Sequence, residues 1–500
     1  MSGPNGVTLR IDGRSVEVPK GTTVLKAAER LGIVIPRFCF HPAFEPEGSC
    51  RMCLVEIEGL PKLDLACSTV VREGMTVWTA TPQVLEARKS VLEFLLADHP
   101  LDCPICDKAG ECVLQDYYDR HGRTASRFLE DKEKKKKKIP IGKRLLLDRE
   151  RCVLCTRCVR FLRRVTGTGE LGVFERGVRA EVGIGEGMEI RNNYSGNLVD
   201  ICPVGAITDG DFRFRTRAWF LNKARTVCPR CGRGCNIFIQ SVCGYPLQGN
   251  GRKIYRVVAA ENPDVNGPWI CDLGRYGYRD LEENRQEAVV AKPGGAQAGP
   301  TLSWEAALSG LASDLRSASG GPGRPSRLGV ILTSVLTNEE LGMCRRLFID
   351  SLRAESVSFA DPTPGAADGL LLTAARTPNE QGARALGFGM EPPDLKLLQG
   401  SVDVLLIFGP YLLEHMPVTE AAGAFGRIRR TYLFSAQKSG LDDLAEVVLP
   451  TAYPEEKQGS FTNIDGLRQS FEPALRPPAG CRPEGRILAW LAQELGIKLD

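Results

Sequence analysis

The uneven distribution of cysteine is the strongest constraint on what this chain can fold into. The chain has 18 cysteines, of which only Cys344 and Cys481 follow Cys271, so sixteen lie between Cys39 and Cys271. The N-terminus shows no basic stretch followed by an apolar one, so we expect no secretory signal and a cytosolic chain. In a reducing compartment, clustered cysteines bind metals more often than they form disulfides. We therefore expect metal ligation in the N-terminal half.

The first cysteine set has a spacing that suits a two-iron cluster. It follows C-x10-C-x2-C-x13-C and comprises Cys39, Cys50, Cys53 and Cys67. Four thiolates can hold a [2Fe–2S] core, and one loop supplies two of them. Gly48 and Ser49 keep the backbone thin, so amide groups can approach the sulfides. Zinc is the alternative, since CxxC pairs also bind Zn²⁺, but the long first gap favours iron–sulfur.

The second set combines one histidine with three cysteines in HPLDCPICDKAGEC. Three thiolates supply three corners of a cubane, and a fourth iron needs another ligand. His99 lies one short turn upstream, and the chain has only four histidines. A lone histidine is more often structural, but its position beside three ligand cysteines favours ligation. We predict a [4Fe–4S] site formed by His99, Cys103, Cys106 and Cys112.

The third set has a C-x2-C-x2-C triplet and a distant Cys-Pro pair. This spacing is typical of [4Fe–4S] sites, and only one triplet occurs in this stretch, so the remote cysteine most simply completes the same cluster. The predicted ligands are Cys152, Cys155, Cys158 and Cys202. Four arginines crowd the triplet, and they either form a solvated helix face or balance the charge of a reduced cluster; they are Arg157, Arg160, Arg163 and Arg164.

The fourth set follows C-x2-C-x3-C, which also suits a cubane. It comprises Cys228, Cys231 and Cys235, and two downstream cysteines compete for the fourth place. Cys271 is favoured over Cys243 because Gly274 would let the backbone approach a cluster closely. Cys243 is then expected to be a buried thiol.

The cysteine sets and the hydrophobic pattern together predict five domains, which form an α+β N-terminal part of cluster-binding modules followed by an α/β domain. Alternating residues around Asp12-Gly13 predict a β-hairpin. Thr22 and Thr23 can cap a helix that Gly32 ends, and a second helix is expected over Pro82 to Leu96. Apolar runs at 328–332, 402–409 and 431–434 alternate with helical patterns, which predicts an α/β domain with a largely parallel sheet. The predicted domains are 1–82 (β-grasp), 83–122, 143–217, 221–280 and 300–500 (α/β), with Gly/Pro-rich seams at 291–300 and 317–326.

Charge and hydropathy exclude several classes of function. The net charge is only +4, so nothing favours nucleic acid or an acidic membrane surface. No apolar run of about 18 residues occurs, so no membrane-spanning helix is expected. We expect the five lysines at 134–138 to form a solvated loop.

If residues 1–275 form one compact body with a radius of gyration of about 18 Å, neighbouring clusters lie within about 10–15 Å of each other. Enclosed, fully ligated clusters favour electron transfer, and we expect no catalytic residue.

Three segments carry a specific resemblance to a known family. HPLDCPICDKAGECVLQD (99–116), RCVLCTRCVRF (151–161) and SGNLVDICPVGAIT (195–208) resemble the large iron–sulfur subunit, or G subunit, of respiratory complex I, NADH:quinone oxidoreductase. The resemblance implies one [2Fe–2S] and two [4Fe–4S] clusters, with His99 matching the family's histidine ligand. The fourth set matches a cluster found in some bacterial members. The resemblance to this family further implies that the chain relays electrons from an FMN- and NADH-binding partner, through quinone-side iron–sulfur subunits, towards quinone. It also implies a location at the cytoplasmic side of the bacterial inner membrane.

The C-terminal part is similar to molybdopterin oxidoreductases. The similarity rests on SWEAAL (303–308), PNEQGA (378–383) and EVVLPTAYPEEKQGSFTNIDGLRQ (446–469). About 200 residues follow position 300, so we expect a shortened domain of that type. Cys344 is flanked by a helical pattern and is expected in the core, so no residue suggests a molybdenum ligand. We expect no molybdopterin and a scaffold role.

Two other functions compete with this interpretation. The first is the electron-transfer subunit of a soluble NAD-linked hydrogenase or formate dehydrogenase, which would share the first cysteine sets. A working formate dehydrogenase would keep its cofactor pocket, and no further cysteine group suits a hydrogenase centre. The second is a zinc module that binds partners or nucleic acid, which predicts a colourless protein with zinc instead of iron.

Overall fold

The chain forms two compact units, Met1–Leu221 and Asn222–Asp500. The computed structural model describes residues 6–242, 254–292, 299–320, 325–394 and 401–499. Both predicted C-terminal domains, 221–280 and 300–500, fall in the second unit, and the five-domain division stays a prediction. Parts of the two predicted seams, at 293–298 and 321–324, lie outside the described residues.

A five-stranded sheet with the order β2-β1-β5-β3-β4 opens the first unit. Its hairpin is confirmed: β1 and β2 are antiparallel, with Ile11 paired to Arg14. Asp12 and Gly13 both have positive φ, 48° and 77°, the two-residue turn that matches strand twist. The elements are β1 (Gly6–Ile11), β2 (Arg14–Pro19), α1 (Val24–Arg30), β3 (Leu54–Ile57), β4 (Asp64–Leu65) and β5 (Thr76–Trp78).

Helix α1 closes one face of this sheet. The Thr23 side chain accepts a hydrogen bond from Lys26 N, which satisfies an amide that the helix leaves free. The helix ends before Gly32, whose φ is +72° and whose conformation lets the Ile33 amide bond back to Ala28 O at 2.9 Å. Val24, Leu25 and Ala28 pack against strands β1 and β3, so the predicted β-grasp arrangement is confirmed.

The rest of the first unit consists of short elements around loops. The predicted second helix is confirmed and starts at Pro82, capped by Thr81. Strands β6, β7 and β10 form one small sheet, and β8 pairs with β9. The elements are α2 (Pro82–Ala97), α3 (Val113–His121), β6 (Ile139–Pro140), β7 (Leu145–Leu147), α4 (Arg157–Arg164), β8 (Leu171–Phe174), β9 (Glu181–Ile184), α5 (Asn197–Ile201) and β10 (Ile207–Asp209).

The second unit contains a three-stranded antiparallel sheet, a six-stranded sheet and a hairpin. The six-stranded order is β14-β19-β18-β17-β15-β16. Its elements are β11 (Asn222–Val227), β12 (Asn236–Ser241), β13 (Ile254–Ala259), α6 (Asp272–Tyr276), β14 (Val290–Ala291), α7 (Trp304–Ala318), β15 (Leu328–Leu332), α8 (Asn338–Cys344), β16 (Ser356–Phe359), α9 (Glu380–Ala385), β17 (Val404–Phe408), α10 (Val418–Phe425), β18 (Arg430–Ser435), β19 (Val447–Pro450), β20 (Gly459–Thr462), β21 (Arg468–Phe471) and α11 (Glu484–Leu495).

The predicted parallel sheet is confirmed, because β16, β15, β17, β18 and β19 pair in parallel. Alternate residues of β17 belong to two different cores: Leu406 and Phe408 pack with α7 and α11, whereas Leu405 and Ile407 pack with α10. A parallel strand covered on both faces reads as a continuous apolar run, which is why VLLIF could be recognised.

Short helical turns complete the fold. A π-helical turn, Arg345–Ser351, continues α8, and 3₁₀ turns lie at Cys103–Ile105, Gly177–Arg179, Ala218–Phe220, Gly277–Leu281, Tyr411–Glu414, Gly440–Asp443 and Pro454–Glu456. Within the described residues, no helix is long and apolar enough to cross a membrane.

The buried central strand predicts a stability effect. Leu406 in β17 is fully buried, so Leu406→Ala should lower the free energy of unfolding of the second unit by about 2–5 kcal/mol. Leu467 is 42% exposed in the β20–β21 turn, and Leu467→Ala should change it by less than about 0.5 kcal/mol. Urea denaturation of both variants measures the difference; equal losses would show that β17 is not the core of this sheet.

Candidate metal centres

The first set lies in the loops that join α1 to β3 and follow β4. All four side chains are buried. Their thiols interact in two pairs, Cys39 with Cys50 and Cys53 with Cys67. Gly48 has a φ of +69°, and the Phe38 amide donates to Cys50 Sγ at 3.4 Å. The structure thus brings the four predicted ligands together and supplies an amide donor.

The charge state of these thiols is uneven. Hydrogen bonds from Cys50 and Ser49 lower the pKa of the Cys39 thiol to about 5. The hydrogen bond with Cys39 and, to a lesser extent, burial raise the pKa of the Cys50 thiol. The hydrogen bond with Cys67 and burial likewise raise the pKa of the Cys53 thiol. Within each pair, one thiol therefore ionises more easily than its neighbour, and a bound cation would favour loss of the proton from both.

The second set surrounds the N-terminus of α3. His99 follows α2, Cys103 begins a 3₁₀ turn and Cys112 is the N-cap of α3. His99, Cys103 and Cys112 line a common cavity of ≈ 430 Å³. Cys106 is buried, and a Cβ added to Gly205 would overlap its sulfur. Only glycine at 205 leaves room for this thiol.

His99 is suited to bind a metal through a neutral ring nitrogen. Burial, with the positive charges of Arg151 and Lys132, lowers its pKa to about 4. The imidazole is therefore neutral near pH 7, and the lone pair that a metal requires is free of a proton.

The lysine run beside the second set is more ordered than predicted. Lys137 Nζ lies 2.8 Å from Asp102 and 2.7 Å from Glu150. Asp102, which precedes Cys103, also pairs with Arg151 at 2.8 Å. Lys135 Nζ donates to Ala180 O at 2.7 Å. The run is a mostly exposed loop, as predicted. What the prediction missed is that Lys135 and Lys137 also bind oxygen atoms of Ala180, Asp102 and Glu150.

The third set encloses a small cavity between two helices. Cys152, Cys155, Cys158 and Cys202 all line it, and Cys202 is the C-cap of α5. Leu154 and Thr156 have positive φ, 50° and 59°. This backbone conformation is strained for residues other than glycine, and such strain is concentrated at functional sites. Burial raises the pKa of Cys152 to about 12 and of Cys155 to about 11.

The fourth set is held between β11, β12 and α6. All four cysteines are buried, and Cys271 is the N-cap of α6. The thiol of Cys271 is close enough to interact electrostatically with those of Cys228 and Cys235. Burial raises its pKa to about 11. Cys243, the alternative fourth ligand, lies outside the described residues.

Residues distant in sequence wall in the fourth set. The Gly232 amide donates to Thr373 Oγ1 at 3.0 Å and to Ala375 O at 3.1 Å. Gln469 donates to Gly234 O at 2.8 Å and accepts from Asn236 at 2.6 Å. Thr373 and Gln469 belong to the α/β part of the second unit. Sequence reasoning missed both, because nothing local to either residue signals the contact.

The remaining two described cysteines are structural. Cys344 is buried in the core between α8 and the sheet, as predicted. Cys481 is buried and donates to Gln286 O at 3.3 Å. Among the described residues, no three His, Cys, Asp or Glu side chains converge as ligands of one metal ion. A four-iron cluster does not need such convergence, because each iron takes its own ligand.

Three family models match the parts of the chain that carry the first three sets. A 2Fe-2S iron-sulfur cluster binding domain matches residues 5–82. An NADH-ubiquinone oxidoreductase-G iron-sulfur binding region matches 88–127, and the ferredoxin-like domain of NADH-quinone oxidoreductase subunit 3 matches 142–208. The fold and these matches define an iron–sulfur protein built from ferredoxin-type domains.

Curated relatives narrow this class to one family. The G subunit of NADH-quinone oxidoreductase from Streptomyces coelicolor is 36% identical over 96% of this chain and 56% of its own length. The protein of the same name from Mycobacterium bovis is 42% identical over 67% of this chain and 41% of its own length. The chain belongs to the family of NADH-quinone oxidoreductase G subunits. It spans about half the length of these curated relatives.

One solved structure is also similar in sequence. It is described as the crystal structure of an NAD+-reducing [NiFe]-hydrogenase in the H2-reduced state and is 32% identical. The match covers 42% of this chain and 90% of that chain, with a TM-score of 0.39. That score is too low to support an argument from overall structure.

The packing around Gly274 predicts how the fourth set can be disrupted. A Cβ at this position would lie 3.0 Å from Cys228 Sγ and 3.2 Å from Ile270 Cγ1, so Gly274→Ala should displace the thiol and lower bound iron by about four atoms per chain. Gly310 in α7 has no atom within 4 Å of an added Cβ, which makes Gly310→Ala the matched control. Iron analysis measures both; full iron in Gly274→Ala would contradict the assigned packing.

Proposed function

We propose that the chain is an electron relay that holds one [2Fe–2S] and three [4Fe–4S] clusters. The observation that carries this proposal is the grouping of fifteen cysteines and His99 into four sets, three of which coincide with iron–sulfur family matches. The clusters would supply reversible one-electron exchange. The ligands are Cys39, Cys50, Cys53 and Cys67; His99, Cys103, Cys106 and Cys112; Cys152, Cys155, Cys158 and Cys202; and Cys228, Cys231, Cys235 and Cys271.

The protein's own residues bind, enclose and tune these groups. Buried thiols with raised pKa values exchange their protons for iron, so binding releases protons. The Phe38 amide supplies a hydrogen bond beside the first set, as amides do around cluster sulfurs. The first set is entirely buried and the third set is buried except for Cys152. This enclosure favours electron exchange over reactions of bound substrate. No residue is assigned a catalytic role.

The wider setting of the relay follows from the family. The relatives are named as subunits of NADH-quinone oxidoreductase, so we propose that electrons come from NADH through an FMN-bearing partner and leave towards quinone. Other iron–sulfur subunits on the quinone side would be partners. The chain would then lie at the cytoplasmic face of the bacterial inner membrane and touch the membrane only through its complex.

The second unit is proposed to act as a scaffold without molybdopterin. Its parallel sheet fits the predicted α/β domain, and its residues Thr373 and Gln469 form hydrogen bonds with the loop that carries the fourth set. The competing function is an electron-transfer subunit of a soluble hydrogenase or formate dehydrogenase. Molybdenum bound in a one-to-one ratio would favour the formate dehydrogenase alternative over our proposal.

Metal analysis of anaerobically purified protein tests the relay. We expect a brown protein with about 14 irons per chain and a similar amount of labile sulfide. The zinc alternative expects zinc, no sulfide and no colour. Zinc in place of iron would end the electron-relay proposal.

The histidine ligand predicts a selective effect. His99→Cys exchanges a neutral ligand for an anionic one, and the added negative charge should disfavour reduction and shift that cluster's midpoint potential to more negative values. EPR-monitored redox titration measures the shift. His121, which is half-buried on α3, provides the control variant His121→Cys, for which no shift is expected. An unchanged spectrum and potential in His99→Cys would show that His99 is not a ligand.

The fourth ligand of the fourth set has a direct test. Cys271→Ser should remove or strongly alter this cluster and leave the other three, since Cys271 is the described cysteine that completes the set. Cys243→Ser and Cys344→Ser serve as controls and should keep all four. EPR spectra of the reduced proteins distinguish the variants, and loss of the signal in Cys243→Ser would reverse the assignment.

A further inference from the structure

Two arginines of α4 reach from the third set to the first. Arg157 Nη2 donates to Phe40 O at 2.6 Å, and its Nη1 donates to Ile201 O at 3.3 Å. Phe40 follows the ligand Cys39, and Ile201 precedes the ligand Cys202. One guanidinium therefore joins the ligand loops of two clusters that are more than 100 residues apart in sequence.

Arg160 makes the same kind of connection. Its Nη2 donates to Cys39 O and, at 3.3 Å, to Cys155 O, and its Nη1 donates to Glu45 O at 3.0 Å. The cysteine carbonyls that it contacts belong to ligand residues of both sets. The two side chains fix the first-set loop against the third-set loop.

The positive charge of Arg157 has no carboxylate to balance it. Among the described residues it forms no ion pair, and its buried Nε has no hydrogen-bond partner. The side chains of Cys155, Cys202 and Cys39 lie close enough to interact electrostatically with its guanidinium. An unpaired charge removed from water is costly, so the arrangement is stable only if negative charge lies nearby. Two thiolate-ligated clusters would supply that charge.

We propose that Arg157, assisted by Arg160, is a positioning residue that couples the first and third clusters. This inference rests on the proposed function. The guanidinium provides a route for electrons between the two sets that consists only of covalent bonds and two hydrogen bonds. The route runs from Cys39 and Phe40 through Arg157 to Ile201 and Cys202. The guanidinium also stabilises the reduced form of both clusters, because reduction adds one negative charge to each. The bound clusters would supply one-electron exchange, in which one cluster would be oxidised as the other is reduced, with no bond or proton moved.

The other arginines of this helix do not share the role. Arg163 and Arg164 are exposed, and Arg164 only approaches Glu45, at 4.0 Å. Water screens exposed charges. The predicted alternatives for the four arginines are thus divided: two lie between the clusters and two form a solvated face.

Redox titration followed by EPR tests the coupling in the full chain. Arg157→Gln removes the charge, so the midpoint potentials of both the first and the third cluster should become more negative. Arg157→Lys keeps the charge and should leave both potentials close to those of the unsubstituted protein. Arg163→Gln is the matched control on the same helix and should shift neither potential.

A second variant covers the case in which Arg157→Gln does not load iron. Arg160→Gln should shift both potentials in the same direction by less, because Glu47 lies 3.9 Å from Arg160 and offsets part of its charge. Unchanged potentials in the loaded glutamine variants would overturn this inference alone. Absence of both signals from the unsubstituted protein would overturn the proposed function as well.

Discussion

Crowding thiolates inside a protein is unfavourable unless a cation neutralises them, and this constraint governs how the chain is built. Burial raises the pKa of Cys152, Cys155 and Cys271 to about 11 or 12. Near neutral pH these thiols keep their protons until iron displaces them, so metal binding and final packing are linked. The loops that hold them accept strained backbone, as at Leu154 and Thr156, because the bound group would compensate for the strain.

The same constraint explains the charged residues that surround the sets. Among the described residues, Arg157 lies between two ligand loops without a carboxylate partner. Beside the second set, by contrast, Arg151 and Lys137 both pair with carboxylates, which belong to Asp102, Asp148 and Glu150. Uncompensated charge is thus found where two anionic clusters are proposed. Paired charge is found beside the set with the neutral His99 ligand. The charged residues around each set therefore differ in the same way as the predicted charges of the ligands.

Local patterns made much of the fold predictable. Three elements are each determined by a few neighbouring residues: the Asp12-Gly13 turn, the Thr23 cap and the apolar strand at 404–408. The ligand triplets are equally local, and they identified three sets directly. The fourth ligands were less direct: Cys202 was assigned because its stretch holds only one triplet, and Cys271 because Gly274 lies beside it. The structure brings both to the expected partners.

Contacts between distant segments were not predictable. The overlap that a side chain at 205 would make with Cys106 and the hydrogen bond from Arg157 to Phe40 both join residues about 100 or more positions apart. The hydrogen bonds of Thr373 and Gln469 beside the fourth set span even longer separations. Lys137 shows what local sequence does not reveal. The lysine run predicts an exposed loop, but it does not indicate that Asp102 and Glu150 lie beside Lys137. Sequence indicates which residues can bind metal, whereas the fold decides how each site is enclosed and charged.

The chain is proposed to hold clusters of two sizes in four sets. Mössbauer spectroscopy of ⁵⁷Fe-enriched protein counts the iron in each kind of cluster. We expect about one seventh of the iron to belong to a two-iron cluster and the remainder to four-iron clusters. A spectrum with a single mononuclear iron environment, or with no cluster iron, would contradict it.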